Sequence, residues 1–204
     1  MFPNPQDALP LPPHPSLEQY KKRAKDLVKA GHSLDPSAIH DWATSWIESL
    51  VRLSLVRLSG LTIMSQLPVR IEQWTDELER FARQRLTEDP SLSAAQFVIA
   101  RAQGFESWPK LAKHLESTGR TDSVVSHFER AADAIVDGDF DALQALLREH
   151  PDLVRAHSTR QHQAALLHYV SANGIEGYRQ KTPRNIVQVA KLLLNTGADV
   201  NAVA

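Results

Sequence analysis

The sequence predicts an all-α chain in which a helical N-terminal module precedes a stack of helical hairpins. Three observations lead there. Apolar residues recur at steps of three and four along most of the chain, the spacing that gathers them on one face of an α-helix. No convincing period-two alternation, the mark of a half-buried strand, is present. Three stretches of the C-terminal half each place a glycine between two short apolar helical segments; Gly104, Gly138 and Gly174 stand 34 and 36 residues apart.

Residues 1–15 hold six of the twelve prolines. Proline removes a backbone donor and disfavours helix at the preceding residue, so a disordered, extended arm is expected. Ser16 with Gln19 has the capping-box pattern, and Gly31 is a stop. Between them Leu17, Tyr20, Ala24, Leu27 and Val28 form a buried stripe. Asp35-Pro36 starts a second helix, since proline at the first helical position loses no bond. Trp42, Trp46, Ile47, Leu50, Leu53 and Leu58 cover a wide arc of it before Gly60, as a helix central to a bundle would. From Pro68, Ile71, Trp74, Leu78, Phe81 and Ala82 give a third. The helical module is thus 16–90, and repeats fill 91–204.

The first repeat, 91–121, is degenerate, with Gly104 between Ala95–Gln103 and Trp108–Leu115. The span 122–204 holds two more. One places Gly138 between Ala131–Asp137 and Phe140–Leu147; the other places Gly174 between Leu166–Asn173 and Val187–Leu194. Glycine ends a helix in the left-handed conformation that a Cβ would penalise.

Several of these segments resemble the ankyrin repeat. Leu166-Leu167-His168 is similar to its Thr-Pro-Leu-His start, and Lys191-Leu192-Leu193-Leu194-Asn195-Thr196-Gly197-Ala198-Asp199-Val200-Asn201-Ala202 to its end. Asp139–Val154 resembles a related repeat with a longer loop containing Pro151. The span 91–204 also resembles a group of bacterial ankyrin-repeat proteins of unassigned biochemistry. In that group a Gly-Phe-x-Ser-Trp helix, here Gly104–Trp108, precedes the array, and a segment like Asn173–Pro183 interrupts a repeat. The resemblance implies an ankyrin-type solenoid that binds a protein partner by contact, with no catalysis and no catalytic residues to carry over. The contact surfaces expected are the concave inner-helix face, the hairpin tips near Arg155 to Gln163 and the inserted loop. It also implies that His168 bonds backbone at the repeat start. The chain stops at Ala204 just after a motif that leads into another repeat, which leaves the outer face of the last helices uncovered; the array is read as truncated or naturally short, or as covered there by another chain, self-association included.

Composition narrows the classes. Lys and Arg number 23 against 24 Asp and Glu, so no global field draws in nucleic acid. The absence of cysteine excludes disulfides, thiolate metal sites and Cys nucleophiles, and fits a reducing, cytoplasmic compartment. The start lacks a signal-peptide pattern. The most apolar window, Trp46–Met64, carries Glu48, Arg52 and Arg57, which argues against a membrane span.

The most individual feature is an insertion. From Gly174 to Gln188 the chain takes fourteen steps where Gly138 to Asp141 takes three, leaving about eleven extra residues, 175–185. They include Tyr178, Arg179, Lys181 and Arg184. Either this loop projects as a basic, aromatic tip that meets a protein partner, or it folds back on its own repeat with Tyr178 as anchor. If it projects, its deletion weakens partner capture and leaves the array folded.

His157, His162 and His168 invite a metal, but steps of five and six do not share a helical face, and no metal or cofactor is expected. Nor is there a nucleophile elbow or a phosphate-cradling glycine loop. Lys21, Lys22, Arg23, Lys25 and Lys29 form a basic surface, read as a solvated helix face; nucleic-acid binding there is the third-ranked function. Trp42, Trp46, Trp74 and Trp108 occupy helical apolar positions, read as core. The alternative, a Trp-lined cleft for a small ligand in the helical half, is the runner-up function.

Overall fold

The computed structural model describes residues 7–12, 15–54, 61–171, 175–180 and 182–204; for residues 53–54 and 61–66 it describes the backbone alone. Eight α-helices are present among the described residues: α1 Leu17–Gly31, α2 Ala38–Ser54, α3 Leu61–Glu88, α4 Leu92–Ala102, α5 Trp108–Thr118, α6 Val124–Asp137, α7 Phe140–Glu149 and α8 Ile186–Thr196. Short 3₁₀ turns lie at Pro151–Arg155, Leu166–Val170 and Gly177–Arg179. The described residues contain no strand beyond a single antiparallel bridge, His157 to Ala165. None of the described helices is long and apolar enough to cross a membrane. The chain forms two compact units that meet at Ala112 and Lys113, rather than at the expected boundary of 90 and 91.

In the first unit α1, α2 and α3 pack on one another, and α4 packs on α1 and α3. The reason for the later boundary is that α4 buries Ala94, Ala95, Val98, Ile99 and Ala102 there. The stripes read from the sequence are the buried ones: Tyr20, Ala24 and Leu27 on α1, Trp42, Trp46, Ile47 and Leu50 on α2, Trp74, Leu78 and Ala82 on α3. Tyr20 meets Trp46 edge-on at 6.4 Å, and Trp42 lies 5.4 Å from Trp46. Leu58 and Gly60 lie outside the described residues.

Local details differ from expectation. Ser16 stands at the N-cap of α1 without a side-chain capping bond. Gly31 has no left-handed backbone; an added Cβ would come within 3.0 Å of Leu86 Cδ1, so close approach explains this glycine. The third helix begins at Leu61, with Pro68 inside it. Residues 7–12, expected within a disordered arm, are packed instead. Ala8, Leu9 and Leu11 are buried, and Leu9 N–H donates to the Ala102 carbonyl at 2.8 Å. Apolar residues between the prolines supply a burial that the proline count conceals.

In the second unit one apolar core runs through α6, α7, the loop after α7, the inserted segment and α8, from Phe128, Ile135 and Leu143 to Leu166, Ile175, Val189 and Leu193. Helix ends recur in one form. Gly138 closes α6 at φ +74°, with its N–H on Ile135 and the Asp139 N–H on Ala134. Gly197 closes α8 in the same way on Leu194 and Leu193, and Gly104 closes α4 on Arg101, with Phe105 on Ala100. This paired bonding is the Schellman end that glycine favours. Gly174 lies outside the described residues. Ser91, Ser123 and Asp139 cap α4, α6 and α7 through their side chains.

Candidate functional site

The inserted segment folds back. Ile175, Glu176, Tyr178 and Arg179 are buried in the second unit, as the folded-back reading with Tyr178 as anchor expects and against the projecting tip that would present Tyr178 and Arg179 to a partner. Arg184 is exposed, and Lys181 lies outside the described residues. What turns the segment inward is charge. Arg179 reaches α6, where its Nη2 donates to Glu129 Oε2 at 2.7 Å and Asp133 Oδ1 at 2.8 Å, and its Nε to the same Asp133 oxygen at 3.1 Å. Its Nη1 donates to Glu176 Oε2 at 2.8 Å. The rings of Tyr169 and Tyr178 each lie 5.6 Å from the guanidinium carbon.

A second arginine enters from the loop after α7. Arg160 is 1% exposed; its Nε pairs with Glu176 Oε1, and its Nη2 lies 3.6 Å from Glu129 Oε2. His162 places Nε2 3.5 Å from Glu176 Oε1, while its Nδ1 accepts the Ala164 N–H at 3.0 Å. That bond fixes the tautomer with the proton on Nε2, facing the carboxylate. Two guanidinium groups and three carboxylates thus join α6, the loop after α7 and the insertion.

The electrostatics follow from burial and pairing. Burial opposes ionisation of Glu129, but Arg179 and then Arg160 outweigh it and hold its carboxyl down to about 2. Burial acts likewise on Glu176, where Arg160 and Arg179 prevail and keep it well below the usual carboxylate range. Burial raises the phenols of Tyr169 and Tyr178. His114, whose Nδ1 lies 2.7 Å from Thr159 Oγ1, is brought down to about 4 by burial. These ion pairs lock the loop after α7 and the inserted segment onto α6.

The lock gives the 157–164 segment a regular exposure. Ser158, Arg160, His162 and Ala164 are buried, while His157, Thr159, Gln161 and Gln163 are exposed. Ser158 N–H donates to the Ala164 carbonyl at 2.9 Å, the His157 Nδ1–H to the Gln163 carbonyl at 2.7 Å, and Gln163 adopts φ +48° at the turn. The result is a short finger with one face anchored and the other presented to solvent. At its base the Ala165 N–H donates to His168 Nδ1 at 3.1 Å, the backbone bond that the resemblance implied. His157, His162 and His168 each engage the backbone through Nδ1.

Among the described residues one group has ligand atoms close enough to share a cation, His40, Asp76 and Glu79 in the first unit. Glu79 there accepts from Arg83 Nε at 2.7 Å and lies 2.7 Å from His40 Nδ1, so both its oxygens are already engaged. The basic run of α1 is divided: Lys21 pairs with Glu18 at 2.6 Å, and Arg23 turns toward Trp46. Three of the four tryptophans are core; Trp108 is half-buried.

Sequence reasoning singled out Arg179 and Tyr178 but not Glu129, Asp133, Arg160 or Glu176 as their partners. The one available signal was Glu129 and Asp133, four apart beside the apolar stripe of α6. No family model, curated protein or solved structure matches the chain.

Proposed function

We propose that the C-terminal unit is an ankyrin-type repeat scaffold that binds a protein partner by surface contact and performs no chemistry of its own. The observation that carries this reading is the finger. Its inward Arg160 is tied by a buried ion pair to Glu176 and its Ser158 and Ala164 by a backbone bond, so its outward row of His157, Thr159, Gln161 and Gln163 is held in one geometry. Binding surfaces gain affinity when their ordering cost is met before the partner arrives, and loops on a rigid scaffold are where contact function concentrates. The glycine-closed helices at Gly138 and Gly197 and the His168 bond support the ankyrin-type reading of the hairpins.

Site-specific photo-crosslinking in the native cell tests it. A photoreactive side chain at Gln161 is expected to yield a discrete adduct, with a matched probe at exposed Lys191 on α8 as the control. Adducts of equal yield and composition at the two positions, or none at Gln161, would overturn it.

A further inference from the structure

In the first unit, α1 and α2 bound a groove of about 600 Å³, within the size range of small-molecule sites. Trp42 and Trp46 back it as buried core, their rings packed on each other and Trp46 lying under Arg23. What a ligand meets is therefore the polar rim, where Gln19, Lys22 and Arg23 of α1 share the groove with Ser45 and Ser49 of α2. We infer that this rim binds a phosphate group, with the Arg23 guanidinium and the Lys22 ammonium on its oxygens and the Ser45 hydroxyl completing the set from α2.

Arg23 carries the site. It is half-buried, with its guanidinium carbon 5.6 Å from the centre of the Trp46 ring. Its Nη2 donates to Ser49 Oγ at 3.3 Å, and that hydroxyl donates in turn to the Trp46 carbonyl at 2.7 Å. The serine thus holds the guanidinium in place without neutralising it. Trp42 Nε1–H donates to the Arg23 carbonyl at 3.1 Å and fixes the backbone behind the side chain. A guanidinium has five N–H donors, and Ser49 takes one of them. Arg160 and Arg179, the deeply buried arginines of the second unit, have carboxylates against them. Arg23 has none at ion-pairing distance among the described residues. Burial pushes its proton affinity down, and Tyr20 and Asp26 restore only part of it. A half-buried guanidinium with donors in reserve is completed by an oxyanion from outside.

The number and placement of the donors select phosphate among oxyanions. A carboxylate presents two oxygens in one plane, which the fork of Arg23 alone would satisfy. The groove offers more: Lys22 from the neighbouring position on α1, and Ser45, one turn before Ser49, from α2. A phosphate group has three acceptor oxygens spread in space and a charge of about −1.5 to −2 at neutral pH. Lys22 and Arg23 together outweigh the single carboxylate on the rim, Asp26, so the rim is positive. The groove is also larger than a phosphate, which leaves room for the organic part of a monoester.

Calorimetric titration of the full chain with inorganic phosphate, glycerol 3-phosphate and acetate tests this, in about 0.15 M salt so that distant surface charge is screened. Both phosphates are expected to bind saturably and acetate at least tenfold more weakly; the tighter of the two phosphates distinguishes a free ion from a monoester as the source. Arg23→Gln is expected to weaken phosphate binding tenfold or more, and Lys22→Gln by a smaller factor. Lys29→Gln, on the same helix outside the groove, should leave it within about twofold. Nuclear magnetic resonance of the wild-type protein supplies a readout that needs no variant, because either phosphate should move the Arg23 Nε–H signal. Failure of both phosphates to saturate, equal affinity for acetate, full phosphate affinity in an Arg23→Gln protein of native melting temperature, or shifts centred on Lys29 would each overturn the inference.

Discussion

Arg23 in the first unit and Arg179 in the second both lie 5.6 Å from the centre of an aromatic ring, yet their surroundings differ in kind. Arg23 is half-buried and donates to one neutral hydroxyl, that of Ser49. Arg179 is enclosed between two tyrosines and donates to three carboxylates. The first unit is held mainly by apolar stripes that would pack with or without that arginine. In the second unit the ions are part of the closure, because the insertion and the finger have no other means of burying Glu176 and Arg160. A cation–π contact alone therefore says little about what a buried charge does; the count of ionic partners does.

The comparison can be broken most forcefully at Glu176. Glu176→Ala leaves Arg160 and Arg179 facing each other at a buried site, and removal of one partner from such a group costs about 3–5 kcal/mol. Chemical denaturation should show that loss. Deleting 175–185 removes Arg179 as well and should destabilise the unit, against the expectation that the array would remain folded without its loop. A variant as stable as the wild type would reduce the lock to decoration.

Acid is the next lever. His114 is neutral in the folded state down to about 4, while an unfolded histidine takes up its proton near 6.5. Its folded value is depressed, so stability is full above 6.5 and falls between there and 4, by on the order of 3 kcal/mol. Below 4.5 the unfolded form of Glu129 gains protons that the folded form refuses until about 2, which steepens the fall. Thermal melts from pH 7 to 4 should therefore show loss in the second unit, followed through the Tyr169 and Tyr178 signals, before the Trp42 and Trp46 signals of the first respond.

Gly138 gives a smaller, local effect. Its φ of +74° and the approach of Asn185 Oδ1 to 2.6 Å and Pro183 Cβ to 2.7 Å leave no room for a methyl group. Gly138→Ala should cost about 2–3 kcal/mol, from left-handed strain plus displacement of the chain after the insertion. Arg184, exposed beside those residues, marks the lower limit: Arg184→Ala should change stability by no more than about 0.5 kcal/mol.

The helices, their apolar faces and the glycine ends at Gly104 and Gly138 were legible because each is decided within a few residues. Period, cap and left-handed turn are local chemistry, and Gly138 needs no distant partner to be understood as a helix stop. The hairpin tip near Arg155 to Gln163 was expected as a contact surface, but its anchoring was illegible for a complementary reason. Its alternation of buried and exposed residues is real from His157 to Ala164, but the buried set includes serine, arginine and histidine, which register as surface in any hydrophobic pattern. The same holds for the inserted segment, where both a projecting tip and a folded-back loop were consistent with Tyr178 and Arg179. Tertiary structure chose between them by bringing Glu129 and Asp133 within reach of a guanidinium about 50 residues away. An arginine goes inward only where carboxylates from other parts of the chain meet it, and that meeting exists only in the fold.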